Sequence, residues 1–150
     1  MDLILWRHCE AEVGEPDLGR RLTSKGIKQA ERMAAWLDAH LPDSCRILVS
    51  PADRAQQTAQ VLHRKFRTVP DLAPGASVAA VLLAANWPES REPVLIVGHQ
   101  PTLGTVASFL LSGEEAYWSV RKGAVWWLSN RAKEGASAVV LKVAQSPEFV

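Results

Sequence analysis

The sequence LILWRH at residues 3–8 decides the fold, because four apolar residues run directly into an arginine and a histidine. Two later stretches repeat the pattern: ILVSP at residues 47–51 and VLIVGH at residues 94–99. Short, uninterrupted apolar runs favour strands that are covered on both faces, as in parallel sheets. We therefore predict three buried strands, each followed immediately by polar or charged residues.

Helical patterns separate these strands. The predicted helices span residues 27–41, 51–66, 78–85 and 103–110, the last ended by Ser112 and Gly113. Thr23 or Ser24 can cap the first helix, and Ile27 is the first residue of its apolar face. Gly26 is mildly unfavourable so early in a helix. Ser50 is the predicted N-cap of the second helix, with proline in the first position.

The last third of the chain has a different pattern. Residues 124–128 and 138–144 are predicted as two strands, joined as a hairpin by a polar turn from Asn130 to Gly135. The predicted fold class is therefore α/β, a single domain over residues 1–150 with three α/β/α layers. Its central sheet is mainly parallel, with an antiparallel portion near the C-terminus. The pattern does not specify the order of the strands.

The composition is that of an ordinary globular chain. It has 150 residues, of which 47% are apolar and 22% charged, and its formal net charge is +1. A charge this small gives no indication of nucleic-acid or membrane binding. The two cysteines, Cys9 and Cys45, are too few for a disulfide framework and suit a reducing compartment. Without a signal peptide or an apolar run of about 18 residues, we expect a cytoplasmic protein.

The polar residues after the three strands are the candidate site. Arg7 and His8 follow the first strand, Arg54 lies just beyond the second, and His99 follows the third. Ligands of open α/β sheets bind outside the carboxyl ends of the strands. We therefore expect these four side chains to converge in one crevice.

This set of side chains suits a phosphoryl group. The planar fork of arginine matches phosphate oxygens bidentately. Neighbouring arginines also favour a neutral histidine, whose lone pair can act as a nucleophile near pH 7. The helices after Ser50 and His99 can add backbone amides. Taken singly, each residue has an ordinary explanation, such as a solvated charge for Arg54 or a hydrogen-bonded turn for His99.

Four motifs resemble the signatures of the histidine phosphatase superfamily, the phosphoglycerate mutase-like proteins. Arg7-His8 resembles its Arg-His-Gly motif, and DLGRRLTSKG at residues 17–26 resembles D-x-x-R-x-L-T-x-x-G. SPADRAQQTA at residues 50–59 resembles S-P-x-x-R-A-x-Q-T-A, and GHQP at residues 98–101 resembles G-H-x-P. The motifs come in the family's order, and the short chain most resembles the SixA-type phosphohistidine phosphatases.

The resemblance implies a role for each matching residue. His8 would attack phosphorus and carry the phosphoryl group, while Arg7, Arg54 and His99 would hold the phosphoryl oxygens. The further substrate-binding residues that it implies are Arg20, Gln100 and Ser50. Water would then hydrolyse the phosphohistidine, and neither a metal nor another cofactor is expected.

Cys9 stands where the commonest motif has glycine. A thiol is small, so we expect it to be tolerated, although its oxidation would interfere with His8. A cysteine phosphatase would need arginine six residues after its cysteine, and that position is Glu15. A carboxylate there would repel phosphate, which argues against a cysteine mechanism.

The sequence offers no clear proton donor for a leaving group. Many members of the superfamily carry a carboxylic acid for this purpose, and the candidates are Asp71, Glu10, Glu12 and Glu15, each also explained as a surface acid. A phosphorylated imidazole needs little help, because the pKa of imidazole is about 6.5. Residues 55–98 also leave no room for a lid, which suits a phosphorylated side chain projecting from another protein.

We therefore expect a metal-independent phosphatase for phosphohistidine on a protein, by resemblance a histidine phosphotransfer domain. The alternatives are a small-molecule phosphomonoesterase and a catalytically silent phosphoprotein-binding module, while a mutase would need longer insertions. His40 and His63 are interpreted as structural or solvent-facing. The histidines and cysteines show no zinc-ligand spacing, and the sequence has no nucleotide-binding glycine loop. The oligomeric state is left open.

Overall fold

The computed structural model describes residues 1–133 and 136–150. The strands in these residues are β1 (Asp2–Arg7), β2 (Arg46–Val49), β3 (Arg67–Thr68), β4 (Val94–Gly98), β5 (Val125–Lys133) and β6 (Ala136–Gln145). The α-helices are α1 (Ser24–His40), α2 (Asp53–Gln60), α3 (Val78–Ala85) and α4 (Thr102–Ser112). The described part of the chain contains no helix with the length and apolar content needed to cross a bilayer.

The strands form one mixed sheet in the order β3-β2-β4-β1-β5-β6. β3, β2, β4 and β1 are parallel, whereas β5 is antiparallel to β1 and β6 is antiparallel to β5. Arg7 pairs with Gly98, and Val49 pairs with Val97. The carboxyl ends of β1, β4 and β2 therefore lie side by side at one edge of the sheet.

Helices cover both faces of this sheet, which confirms the predicted three layers. Successive residues of a strand point to opposite faces. Ile4 and Trp6 of β1 pack with α1 and α2, whereas Leu3 and Leu5 pack with α3 and α4. All four of these side chains are fully buried. The uninterrupted apolar runs that predicted the central strands follow from this double coverage.

The predicted first helix is confirmed. Thr23 is its N-cap, with Oγ1 accepting a hydrogen bond of 2.9 Å from the amide of Gly26. A Cβ atom at position 26 would overlap the carbonyl oxygen of Glu10, so glycine is required there by a close backbone approach. Ile27, expected on the core face, is instead 39% exposed.

The predicted second helix is wrong at both ends. It begins at Asp53 with Ala52 as N-cap, whereas the hydroxyl of Ser50 contacts His99 and the amide of Ala52, and it ends at Gln60 rather than at Phe66. His63 has a φ of 54°, in the left-handed region, where a helix cannot continue. Phe66 still packs on the core, which explains why its apolar spacing looked helical.

The C-terminal strands are longer than predicted. Residues 130–133, expected in a turn, belong to β5, which pairs with β6 as far as Lys133 and Ala136. The remaining residues of the predicted turn, 134 and 135, lie outside the described residues. α4 ends as predicted, with Gly113 at a φ of 84°.

Candidate active site

The predicted crevice forms at the carboxyl ends of β1, β2 and β4. The rings of His8 and His99 lie with their centroids 5.1 Å apart. Arg54 and Arg7 are close enough to both rings to lower the pKa of each electrostatically. The structure therefore brings together the four side chains that follow the three strands.

Backbone contacts fix the orientation of His8. Its amide donates to the carbonyl of Gly98 at 3.1 Å, and its own carbonyl accepts from the amide of Gly123 at 3.1 Å. The ring atom Nδ1 lies 2.8 Å from the carbonyl oxygen of Cys9. Because a carbonyl only accepts, this bond assigns the proton to Nδ1 and leaves the lone pair on Nε2.

The charge state of His8 suits a nucleophile. Burial, followed by the charges of Arg54, Arg7 and Arg20, lowers the pKa of His8 to about 4, against the opposing hydrogen bond to the Cys9 carbonyl. The imidazole is therefore neutral at neutral pH, with a free Nε2. Such a group can attack an electrophilic phosphorus atom.

His99 has the complementary arrangement. Its Nε2 lies 2.7 Å from the hydroxyl oxygen of Ser50, which also accepts a bond of 3.2 Å from the amide of Ala52. Since no other described hydrogen bond gives the Ser50 proton an acceptor, we assign that proton to Nε2, which places the proton of a neutral His99 on Nδ1. Burial and the proximity of His8 and Arg54 lower the pKa of His99 to about 3. His99 is therefore a neutral hydrogen-bond donor.

Three buried nitrogens of this site have no protein partner. Among the described residues, the buried side-chain nitrogen and oxygen atoms without a hydrogen bond are Nε of Arg7, Nε of Arg54 and Nδ1 of His99. Buried polar groups nearly always have a partner, so such a set is a strong indication of a ligand. Two guanidinium groups and one N–H donor can together hold an oxyanion.

The three predicted substrate-binding residues occupy different positions. Ser50 is fully buried, and its hydroxyl lies within hydrogen-bond distance of His99. Gln100 uses both ends of its amide on protein backbone, donating to Trp118 at 2.9 Å and accepting from Gly104 at 2.7 Å. Both residues therefore contact protein groups, and their assignment to the substrate stays a prediction. Arg20 is partly exposed at the rim and lies close enough to His8 to lower its pKa.

A carboxylate that the sequence analysis left without a role contacts the arginines. Asp17 Oδ2 accepts from Arg54 at 3.2 Å, and Oδ1 accepts from Arg20 at 3.1 Å. Hydrogen bonds from Arg20 and Arg54 lower the pKa of Asp17. It is therefore ionised at neutral pH and cannot serve as a proton donor. The sequence feature that could have identified Asp17 is its position at the start of the D-x-x-R motif.

The four predicted acid candidates lie elsewhere. Glu10 accepts a hydrogen bond from Thr23 at 2.8 Å, at the start of α1. Glu12, Glu15 and Asp71 are exposed. No described hydrogen bond or ion pair joins any of these carboxylates to the histidines or arginines of the crevice.

The side chain of Cys9 fits in the site because the residue beside its sulfur is a glycine, Gly123. Its amide donates to Thr58 Oγ1 at 3.1 Å, and its side chain is fully buried. A Cβ atom at Gly123 would lie 3.1 Å from the sulfur, so the absence of a side chain there makes room for the thiol. Burial raises the pKa of Cys9 to about 12, which keeps the thiol protonated and poorly reactive.

A family model and two curated relatives match this chain. The family model described as "Histidine phosphatase superfamily (branch 1)" matches residues 3–77. The phosphohistidine phosphatase SixA of Escherichia coli (strain K12) is 32% identical over 123 residues, which cover 76% of each chain. The SixA homolog of Haemophilus influenzae is 36% identical over 126 residues, covering 73% of this chain and 77% of that protein.

The fold is also shared with solved structures. The structure of the protein histidine phosphatase SixA complexed with tungstate superposes with a TM-score of 0.77. That superposition covers 99% of both chains at 24% sequence identity. The likeness therefore extends over the sheet, the helices on both of its faces and the C-terminal strands.

Proposed function

This chain belongs to the histidine phosphatase superfamily, and we propose that it is a metal-independent phosphohistidine phosphatase in which His8 carries the phosphoryl group. The observation that carries the proposal is the pairing of two neutral histidines in one crevice. His8 presents a free Nε2, whereas His99 presents a proton on Nδ1. Arg7 and Arg54 supply the positive charge around them.

In the first step, Nε2 of His8 attacks the phosphorus atom of the substrate. A bond from Nε2 to phosphorus forms while the bond from phosphorus to the substrate's imidazole breaks. The electron pair stays on the departing ring, whose other nitrogen already carries a proton from solvent, so a neutral imidazole leaves. The unpartnered N–H groups of Arg7, Arg54 and His99 hold the phosphoryl oxygens as charge shifts onto them.

In the second step, water attacks the phosphorus atom of phospho-His8. The bond from phosphorus to Nε2 breaks, the electron pair returns to His8, and inorganic phosphate leaves. The hydrogen bond from Nδ1 to the carbonyl of Cys9 is kept throughout, so Nε2 stays directed at the phosphoryl group. The same oxygen ligands serve both steps.

The lack of a suitable acid among the described contacts of the site supports a P–N substrate. Asp17 is the described carboxylate that contacts the site arginines, and its lowered pKa makes it a poor proton donor. An alkoxide leaving group needs protonation, whereas an imidazole with a pKa of about 6.5 does not depend on an enzyme acid at pH 7. SixA of Escherichia coli carries the name of phosphohistidine phosphatase, which agrees with this choice.

We propose that the phosphohistidine lies on a protein. Leu18, next to Asp17, and Tyr117, which lies close enough to Arg7 to oppose the lowering of its pKa by burial, are 49% and 71% exposed. Apolar side chains beside an open crevice suit contact with a protein surface from which the phosphorylated ring projects. A histidine phosphotransfer domain has the required chemistry.

The test is phosphate release from a histidine-phosphorylated phosphotransfer domain, compared as kcat/KM with p-nitrophenyl phosphate and sugar phosphates, all in EDTA. We expect preference for the phosphoprotein and its loss in His8→Ala, with His63→Asn as a histidine control away from the site. Preference for a small ester would identify a phosphomonoesterase instead. Binding without turnover would identify a silent phosphoprotein-binding module, and activity that EDTA abolishes would contradict metal independence.

A further inference from the structure

Asp17 lies between two arginines at the mouth of the crevice. It begins a short 3-10 turn, Asp17–Gly19, and receives two bonds from Arg54. Arg54 Nη1 donates to the backbone carbonyl of Asp17 at 2.7 Å, and Nη2 donates to the carboxylate at 3.2 Å. The other carboxylate oxygen accepts from Arg20 Nη1 at 3.1 Å.

These contacts lie on one edge of the Arg54 guanidinium and leave its Nε without a protein partner. A guanidinium presents five N–H groups, an end-on pair on the two Nη atoms and a side-on pair that includes Nε. Asp17 accepts from both Nη atoms of Arg54, which is the donor pattern of an end-on contact. Nε of Arg54 is buried without a partner, on a side chain that is only 5% exposed.

We propose that Asp17 is a positioning residue, which holds Arg54 by its end-on edge so that the Nε edge faces the phosphoryl group. This inference rests on the proposed function. Without Asp17, the guanidinium could turn its end-on pair toward the oxyanion and bind it in a different geometry. Such a complex would bind phosphate well and would be poorly aligned for transfer, because catalysis depends on orientation more steeply than binding does.

The charge of Asp17 adds a second, opposite effect. Hydrogen bonds from Arg20 and Arg54 lower its pKa, so it carries a negative charge beside the anion site. This charge opposes the binding of phosphate, although 52% exposure of the side chain lets salt screen it. Removal of the carboxylate therefore weakens alignment while it strengthens anion attraction. A residue that contacted phosphate directly could not produce this combination.

The experiment compares Asp17→Ala and Asp17→Asn with wild type, and Asp38→Ala is the matched control. Asp38 also pairs with an arginine, Arg64, at 3.0 Å, in the last turn of α1. We measure kcat with the phosphohistidine protein and the inhibition constant of inorganic phosphate, which reports ground-state binding, at low and high salt. Asp17→Ala is expected to lower kcat about 10- to 100-fold. Its inhibition by phosphate is expected to be unchanged or tighter at low salt.

The conservative variant separates orientation from charge. Asparagine in place of Asp17 keeps the backbone acceptor and one side-chain oxygen, so Asp17→Asn is expected to recover part of kcat. Asp38→Ala is expected to stay within about twofold of wild type in both measurements. The thermal midpoints of all variants check that the fold is intact.

Two results would overturn the proposal. One is a kcat of Asp17→Ala within about twofold of wild type, and the other is an affinity for inorganic phosphate that weakens in parallel with kcat. Failure of the proposed function is distinguishable, because it concerns the wild type. If wild type prefers an ester, the same comparison is made on that ester. If wild type turns over nothing, calorimetric binding of inorganic phosphate decides, since weaker binding by Asp17→Ala would contradict the proposal.

Discussion

Acid should destabilise this protein through the two histidines of the crevice. Burial and neighbouring charges lower the pKa of His8 to about 4 and that of His99 to about 3 in the folded state. Above about pH 6.5 both histidines are neutral whether the chain is folded or not, so they contribute no dependence on pH. Below it, the unfolded chain binds protons that the folded chain excludes, and stability falls with falling pH.

The size of this effect follows from the two pKa values. Between pH 7 and pH 5, a group with a pKa of about 6.5 unfolded and about 4 folded loses about 2 kcal/mol of folding free energy. His99, with a folded pKa of about 3, loses about the same over this range. Together they remove about 4 kcal/mol, a large part of the roughly 5–15 kcal/mol that is typical of a domain.

The assay is urea-induced unfolding at pH 7, 6 and 5, in buffers without phosphate or sulfate, because bound anions would stabilise the folded state. Wild type is compared with His8→Gln and His99→Gln. Each variant should lose about 2 kcal/mol less than wild type between pH 7 and pH 5. The titration of carboxylates is common to all three proteins and cancels in the comparison.

His63→Asn is the matched control for this experiment. His63 is exposed and has a φ of 54°, a conformation that asparagine accepts, so its replacement should leave the pH dependence unchanged. The reasoning would be refuted if His8→Gln and His99→Gln lost as much stability as wild type on acidification. That result would mean that the histidines are protonated in the folded state and that His8 is not poised as a neutral nucleophile.

Two further substitutions test the supports of the site. Ser50→Ala removes the hydroxyl that fixes the proton of His99 on Nδ1. We expect kcat to fall about 10-fold in steady-state kinetics and the free energy of unfolding in urea to fall by about 1–3 kcal/mol. An unchanged kcat would contradict the tautomer assignment. Gly26→Ala places a methyl group against the carbonyl oxygen of Glu10. The free energy of unfolding in urea should therefore fall by more than about 2 kcal/mol, although this change inside a helix usually raises it by about 1 kcal/mol. An increase would show that the loop carrying Glu10 shifts freely.

The convergence of the crevice could be predicted because its signals are local. Arg7-His8 and Gly98-His99 each come at the end of an apolar run, and parallel strands bring their carboxyl ends together whatever their order in the sheet. The three layers could also be predicted, because strands whose residues do not alternate between apolar and polar need cover on both faces. These inferences used only neighbours in sequence and the general geometry of parallel sheets.

What could not be predicted depends on contacts between distant residues. The bond from Arg54 to Asp17 spans 37 positions, and that from His99 to Ser50 spans 49. No periodicity encodes such pairs, so the sequence predicts neither the contact of Ser50 with His99 nor that of Asp17 with Arg54. The early end of α2 at Gln60 was hidden because the left-handed turn follows at a histidine instead of a glycine.

Contacts with distant residues also explain how one short loop can keep His8 neutral and its Nε2 directed at the ligand. The amide of His8 bonds Gly98, its carbonyl bonds Gly123, and the next amide bonds Thr58, so three separate segments of the chain hold two residues. Trp6, fully buried beneath them, donates its indole N–H to the carbonyl of Gly123 at 3.1 Å. Burial of an imidazole without compensation favours local opening, and these bonds oppose it by tying the loop to the core. The nucleophile is therefore assembled only when the sheet, α2 and the segment before β5 are all in place.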